Sequence, residues 1–229
     1  MPEPISRDSI SNRILSQLSR GDFALLEPHL KIVDLPVRKT LEVRGKRIGR
    51  VYFPESGFAS VVANGSSRQG IEVGIIGREG MTGMSVVLGA DQPPHETFIQ
   101  VAGTGLSLKA TELRKAIDDS VSLHRSLLRF AHAFLTQATQ TALANGRSKI
   151  DERLSRWLLM ADDRIDGEEL PLTHEFLSLM LGVQRSGVTI ALQALERDGF
   201  IAARRGRITI VNRKALEKNS NGTYTRQSD

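Results

Sequence analysis

The stretch Leu172–Ile201, LTHEFLSLMLGVQRSGVTIALQALERDGFI, decides how this chain of 229 residues is read. It divides into two helical patterns separated by a tight turn, with a third segment leaving toward a strand. Thr173 is a good N-cap for the first pattern, and Glu175 falls in its first turn, where free backbone N–H groups favour a carboxylate. Phe176, Leu177, Met180 and Leu181 recur at helical spacing and supply one apolar face. Gly182 ends that helix, because glycine takes the left-handed conformation of a tight turn at little cost. From near Gln184 a second helix turns Val188, Ala191, Leu192 and Leu195 inward. Its other face carries Gln184, Arg185, Ser186, Thr189 and Gln193, side chains that hydrogen-bond to phosphates and base edges. A glycine turn followed by such a helix is the pattern of a helix-turn-helix whose second helix enters a DNA major groove.

The flanking sequence strengthens this reading. Asp198-Gly199 turns the chain, Phe200–Ala202 reads as a strand, and RRGRITIV (Arg204–Val211) reads as a hairpin closed at Gly206. That hairpin is expected to form a basic wing, with Arg204, Arg205 and Arg207 close to a phosphate backbone. The formal net charge is only +5, but its distribution is uneven. Residues 148–184 hold four Lys/Arg against eight Asp/Glu, and residues 185–218 hold eight against three. Positive charge therefore concentrates on the second helix and the wing, where a polyanion would bind.

Upstream, KIDERLSRWLLMADDRID reads as an amphipathic helix carrying Ile150, Leu154, Trp157, Leu158 and Met160, with Trp157 expected in the core. Before it, a long helical pattern runs from about Ser120 to Asn145-Gly146. Leu128, Ala131, Leu135, Ala138, Ala142 and Asn145 follow alternating steps of three and four, the seam of a two-stranded coiled coil. Leu127, Phe134 and Thr141 lie beside that seam. A helix with two apolar faces is expected to pack on its own domain and on a second copy of the chain. From Lys31 to Leu108 the segments KIVDLPV, KTLEVRG, RIGRVYFP, GFASVVA, GIEVGIIG, ETFIQVAG and GLSLKA alternate with turns, which indicates an antiparallel sandwich or barrel. Gly65, Gly70, Gly80, Gly83 and Gly89 crowd its middle. Residues Ser6–Ser19 read as one short helix with Ile10, Ile14, Leu15 and Leu18 on one side.

The expected class is α+β: an N-terminal antiparallel β-sandwich, a long dimerisation helix and a C-terminal winged helix. The expected boundaries are 1–110, 111–147 and 148–218, with Gly146 at the second junction and a disordered polar tail over 219–229.

Several function classes are disfavoured. Cysteine is absent, so disulfides, thiolate metal sites, iron–sulfur clusters and cysteine nucleophiles are excluded. No apolar run is long enough to cross a bilayer and no apolar segment follows the polar N-terminus, so a cytoplasmic protein without membrane contact is expected. His29, His95, His124, His132 and His174 show no metal-ligand spacing except at Pro94-His95-Glu96, which is expected in a solvated loop. GREGMTG lacks the Lys-Ser/Thr pair of a P-loop. No Ser/His/Asp set or carboxylate pair falls into one pocket, so no enzyme, metal or cofactor is expected.

The β-region, long helix and winged segment together resemble the Crp/Fnr family of bacterial transcription regulators. The resemblance rests on DERLSRWLLMADDR, LPLTHEFLSLMLGV, RSGVTIALQALERDGFI and RGRITIVNRKALE, and more loosely on VYFPESG and IIGREGMTG. It implies a cyclic-nucleotide-binding-type jelly roll, a homodimer joined by the long helix, and binding to a palindromic operator in double-stranded DNA. An activator of this kind would also meet RNA polymerase. Thr173 matches the family's first-helix phosphate contact, and Gln184 and Arg185 match positions that open its recognition helix. Ser186 stands where many members place a base-reading glutamate, Ile190 where they place a second arginine, and Gly187 replaces the usual threonine. A non-standard half-site is therefore implied.

The family's nucleotide pocket combines a Gly-Glu pair with an Arg-Ser pair. Gly83-Met84 and Glu96-Thr97 stand at those positions, a degenerate pocket in which methionine cannot hold a ribose hydroxyl and glutamate repels a phosphate. Arg68 and Arg78 are not placed there by spacing. The reading is thus a regulator that does not depend on a cyclic nucleotide. The alternatives are a sensor whose β-roll binds some other small ligand, and an enzyme using the glycine-rich β-roll.

Overall fold

The computed structural model describes residues 5–65 and 70–226. In chain order the elements are α1 (Arg13–Gln17), α2 (Arg20–Leu26), β1 (Lys31–Leu35), β2 (Thr40–Glu42), β3 (Arg50–Pro54), β4 (Phe58–Asn64) and β5 (Gly70–Ile76). Then come α3 (Met84–Val87), β6 (Glu96–Val101), β7 (Gly103–Lys109), α4 (Ala110–Asp119), α5 (Val121–Arg147) and α6 (Ile150–Asp162). The C-terminal part adds β8 (Glu169–Leu170), α7 (His174–Leu181), α8 (Arg185–Arg197), β9 (Ile201–Arg204), β10 (Arg207–Ile210) and α9 (Arg213–Asn219).

Each of the seven β-prone segments forms a strand. One sheet has the order β1-β7-β3 and another the order β2-β6-β4-β5. The pairings β1–β7, β3–β7 and β2–β6 are antiparallel, with Lys31 opposite Ser107 and Val51 opposite Leu108. Alternation explains the layering: in β3, Val51 and Phe53 are fully buried while Arg50 and Tyr52 are only half covered. Leu35, Ala59 and Ile99 meet in the core, with Val33, Leu41 and Tyr52 packed around them. The mixed helix and antiparallel-sheet class is as the sequence implies.

The chain divides into two compact units, Met1–Val61 with Ile76–Leu135, and Val62–Ile75 with Thr136–Asp229. The division falls inside α5 and takes part of the β4–β5 ribbon into the second unit. Gly146 does not mark it; α5 runs through Gly146 and stops at Arg147.

In the first unit, the N-terminal segment is not one helix. Asn12 interrupts it by capping α1 through Leu15 N, while its own amide donates to Pro54 O at 3.0 Å and Gly80 O at 2.8 Å. Ile10, Ile14, Leu15 and Leu18 are nonetheless all buried. Asp22 in α2 accepts from the hydroxyls of Ser120, Ser122 and Ser19, fixing the junction of α4 and α5. Those hydroxyls, Ser120 first, hold its carboxyl below the ordinary value.

The second unit forms around α6. Leu154, Trp157, Leu158, Leu159 and Met160 are buried there, as are Val188, Leu192 and Leu195 of α8. Residues Ser220–Tyr224, expected to be disordered, instead pack: Ser220 and Thr223 are buried, and the Tyr224 hydroxyl donates to Asp163 at 2.7 Å. Arg156 explains the anchoring, because its buried guanidinium needs acceptors and donates to Thr223 O at 2.9 Å.

Candidate nucleic-acid interface

Thr173 has extended backbone and its hydroxyl oxygen accepts from Phe176 N at 3.2 Å, which opens α7. It is exposed, and its hydroxyl proton is still free to donate outward. α7 buries Leu177, Met180 and Leu181, while Phe176 sets its ring edge-on to Trp157 at 5.7 Å. Gly182 closes the helix at φ 61°, with Val183 N bonded to Ser178 O. A side chain there would also press on Ile71, whose Cδ1 lies 3.0 Å from where a Cβ would stand.

Gln184 caps α8, and its carbonyl accepts from Val188 N. The helix buries Val188, Ala191, Leu192 and Leu195, so the opposite side is left outward. Gln184, Arg185, Ser186, Gln193 and Arg197 are exposed there, together with Ile190. Thr189 differs from the expectation. Its hydroxyl donates to Arg185 O at 3.1 Å and lies 3.0 Å from His174 Nδ1, so the local structure already uses it. Sequence reasoning missed His174, although its place directly after the N-cap put it on this side of α7. Gly187 is half-buried, and a Cβ there would stand 3.1 Å from Ile150 Cδ1, so α6 leaves little room for a larger residue.

The hairpin forms as expected, β9 against β10 with Arg204 opposite Arg207 and Gly206 at φ 74° in the turn. Glu196 of α8 accepts from Ala203 N at 2.9 Å, which ties the helix end to the wing. The three wing arginines are not equivalent. Arg207 Nη1 lies 2.6 Å from Glu169 Oε2, because β8 pairs with β10 and brings Glu169 alongside. Arg204 and Arg205 are exposed and have no ion-pair partner among the described residues. Arg213, also in the basic stretch, is held by Asp162, Asp163 and Glu217 and by the Tyr224 hydroxyl. The charge left to attract a polyanion is therefore narrower than the raw count suggests.

In the first unit, Gly83 and Thr97 are brought together, through a residue the sequence did not single out. Glu42 accepts from Gly83 N at 2.9 Å and from the Thr97 hydroxyl at 2.6 Å. All three are buried, and burial pushes the Glu42 carboxyl above its ordinary value while the two hydrogen bonds pull the other way. Met84 and Glu96 are half-buried and take no part in this bridge. Arg78 is half-buried with its carbonyl bonded to Arg13 N, and Arg68 lies outside the described residues. His95 is half-buried rather than solvated, and burial pushes its imidazole pKa down.

On α5, Leu128, Leu135, Ala142 and Asn145 are exposed, Ala138 is half-buried and Ala131 is buried. Ala131 lies one turn from Leu127 and Phe134, both buried, which places it on the inward side. Leu143, half exposed, adds an apolar residue to the outward side that the spacing did not flag. Among the described residues no helix is long and apolar enough to cross a membrane, and no three His, Asp or Glu are grouped to hold a metal.

A glycine-turned helix pair with a β-hairpin beside it, preceded by a two-sheet β domain and a long helix, defines a winged helix-turn-helix protein. Residues 152–219 match the model of the Crp-like helix-turn-helix domain, so the C-terminal segment is a domain of that family. Over most of its length the chain has the fold of Crp/Fnr-family regulators. A Crp/Fnr-family regulator structure from Eubacterium rectale superposes with a TM-score of 0.71 at 17% identity, covering 92% of this chain and 98% of that one. FixK2 from Bradyrhizobium japonicum gives 0.70 at 17% identity, over 87% of this chain and 99% of its own. A CRP-family transcriptional regulator from Thermus thermophilus gives 0.67 at 18%, over 84% and 97%. No curated protein matches the sequence.

Proposed function

We propose that this protein is a homodimeric, sequence-specific DNA-binding transcription regulator that works without a cyclic nucleotide. The observation that carries this reading is the split surface of α8, with Val188, Ala191, Leu192 and Leu195 buried and Gln184, Arg185, Ser186 and Gln193 exposed beside the exposed Arg204 and Arg205. A helix in this setting fits a major groove, with Arg185 suited to guanine O6 and N7 and the wing to phosphates. Thr173 adds a hydroxyl donor at the start of α7.

Dimerisation is supported by Leu128, Leu135, Ala142 and Asn145, which recur at helical spacing on the outward side of α5. Two such chains would present paired recognition helices to a palindromic site. Independence from cyclic nucleotides is supported by Glu42, which occupies the donors of Gly83 and Thr97 with a carboxylate of the chain's own. RNA polymerase is the further partner where regulation takes the form of activation.

Selection of duplexes from a random pool by the full-length protein tests the reading. The expected product is a two-fold symmetric motif. A pool that emerges unenriched even at low ionic strength contradicts it.

A further inference from the structure

Ile190 is 67% exposed, although the rest of the outward face of α8 is polar. It does not belong to the packed side, where Val188, Ala191, Leu192 and Leu195 are each at most 5% exposed. On the helix surface its neighbours are Ser186, four residues before, and Gln193, three residues after, and both are exposed. A single exposed aliphatic residue on a protein surface needs no explanation by itself. Here it stands among the side chains assigned to base reading, so the partner facing it must be found in the groove. The apolar substituent that projects from the major-groove edges of the bases is the C5 methyl of thymine. Isoleucine suits that contact, because its β-branch restricts χ1 and holds the side chain in a defined position in a helix.

We propose that Ile190 is a specificity-determining residue that reads a thymine C5 methyl in the major groove. The assignment rests on α8 being the recognition helix and adds an apolar contact that the polar residues of the face do not offer. Ile190 lies five positions after Arg185, about 7.5 Å along the helix. The thymine therefore lies within about two or three base steps of the base that Arg185 contacts.

The test uses the full-length protein and the duplex it selects from a random pool. Each thymine is replaced singly by deoxyuridine, which keeps the pairing edge and the O4 acceptor and deletes only the methyl. One position per half-site is expected to weaken wild-type binding about fourfold, the worth of one buried methyl group. Ile190→Ala is expected to bind the thymine duplex about fourfold more weakly and to treat thymine and deoxyuridine alike at that position. Ile190 is exposed, so the variant should keep the wild-type melting temperature. Specific binding with no methyl-sensitive position, or an Ile190→Ala protein that stays equally sensitive, overturns the assignment and leaves the groove reading standing. Failure to select any sequence overturns both.

Discussion

The indole Nε1 of Trp157 donates to Glu72 Oε1 at 2.5 Å, joining residues 85 positions apart. Both are buried, one on α6 and the other on the ribbon strand β5. Burial pushes the Arg156 pKa down to about 10, and the same Glu72 carboxylate works against that fall by favouring the charged guanidinium. Glu72 thus serves a buried hydrogen bond and a buried charge together. Removing one partner of a buried charged set costs on the order of 3–5 kcal/mol. Glu72→Ala is expected to lose stability on that scale, and Glu72→Gln less, because the amide still accepts from the indole. Urea unfolding followed by fluorescence of the chain's one tryptophan measures both. Unchanged midpoints in both variants would rule the role out.

Glu42 gives a pH signature of definite sign. Burial raises its carboxyl pKa above the ordinary 4.5. The folded chain then holds that proton more tightly than the unfolded chain does, so the contribution is complete below 4.5 and is lost as pH climbs through the raised value. Glu42→Gln keeps an acceptor for Gly83 N–H, offers an N–H to the Thr97 hydroxyl and has no charge to bury. Its stability relative to wild type should rise between about pH 4 and about pH 8. Chemical denaturation at the two values reads the difference, and a constant or falling one contradicts the assignment.

The wing should divide by charge partner. Each phosphate left without its cation lowers the slope of log K against log salt by about 0.9. Arg204→Ala and Arg205→Ala are each expected to do so, whereas Arg207→Ala changes little because Glu169 already holds that guanidinium. Glu169→Gln releases Arg207 and should tighten binding to all duplexes alike. Equal slopes across the set would remove the wing from the phosphates.

Leu135, 64% exposed on α5, is the residue whose change separates assembly from folding. Leu135→Arg should sediment as a monomer while keeping wild-type helicity by circular dichroism. A wild-type protein that is itself monomeric at micromolar concentration contradicts the seam.

Much of this was legible in the residues because it is local. Short β-prone segments alternating with turns marked the strands from Lys31 to Leu108, and Thr173, Gly182 and Gly206 punctuated the helix pair and wing by backbone preferences that act within a turn. The polar pairs that fasten these pieces were not legible. Glu42 with Thr97, Glu72 with Trp157 and Glu169 with Arg207 join residues that only sheet register or helix packing brings together, and nothing near either partner announces the other. The tail misled for the same reason. Its polar composition fits disorder, yet Arg156 and Asp163 supply buried or half-buried partners that hold Thr223 and Tyr224.

The most direct measurement bears on Arg185, which is exposed at the start of α8 and has no ion-pair partner among the described residues. Competition between the selected duplex and a scrambled one gives a specificity ratio for wild type and for Arg185→Ala. The expected result is a loss of about 1–3 kcal/mol from that ratio, with relaxed preference at one base pair of each half-site. An unchanged ratio would mean that this helix does not read the groove.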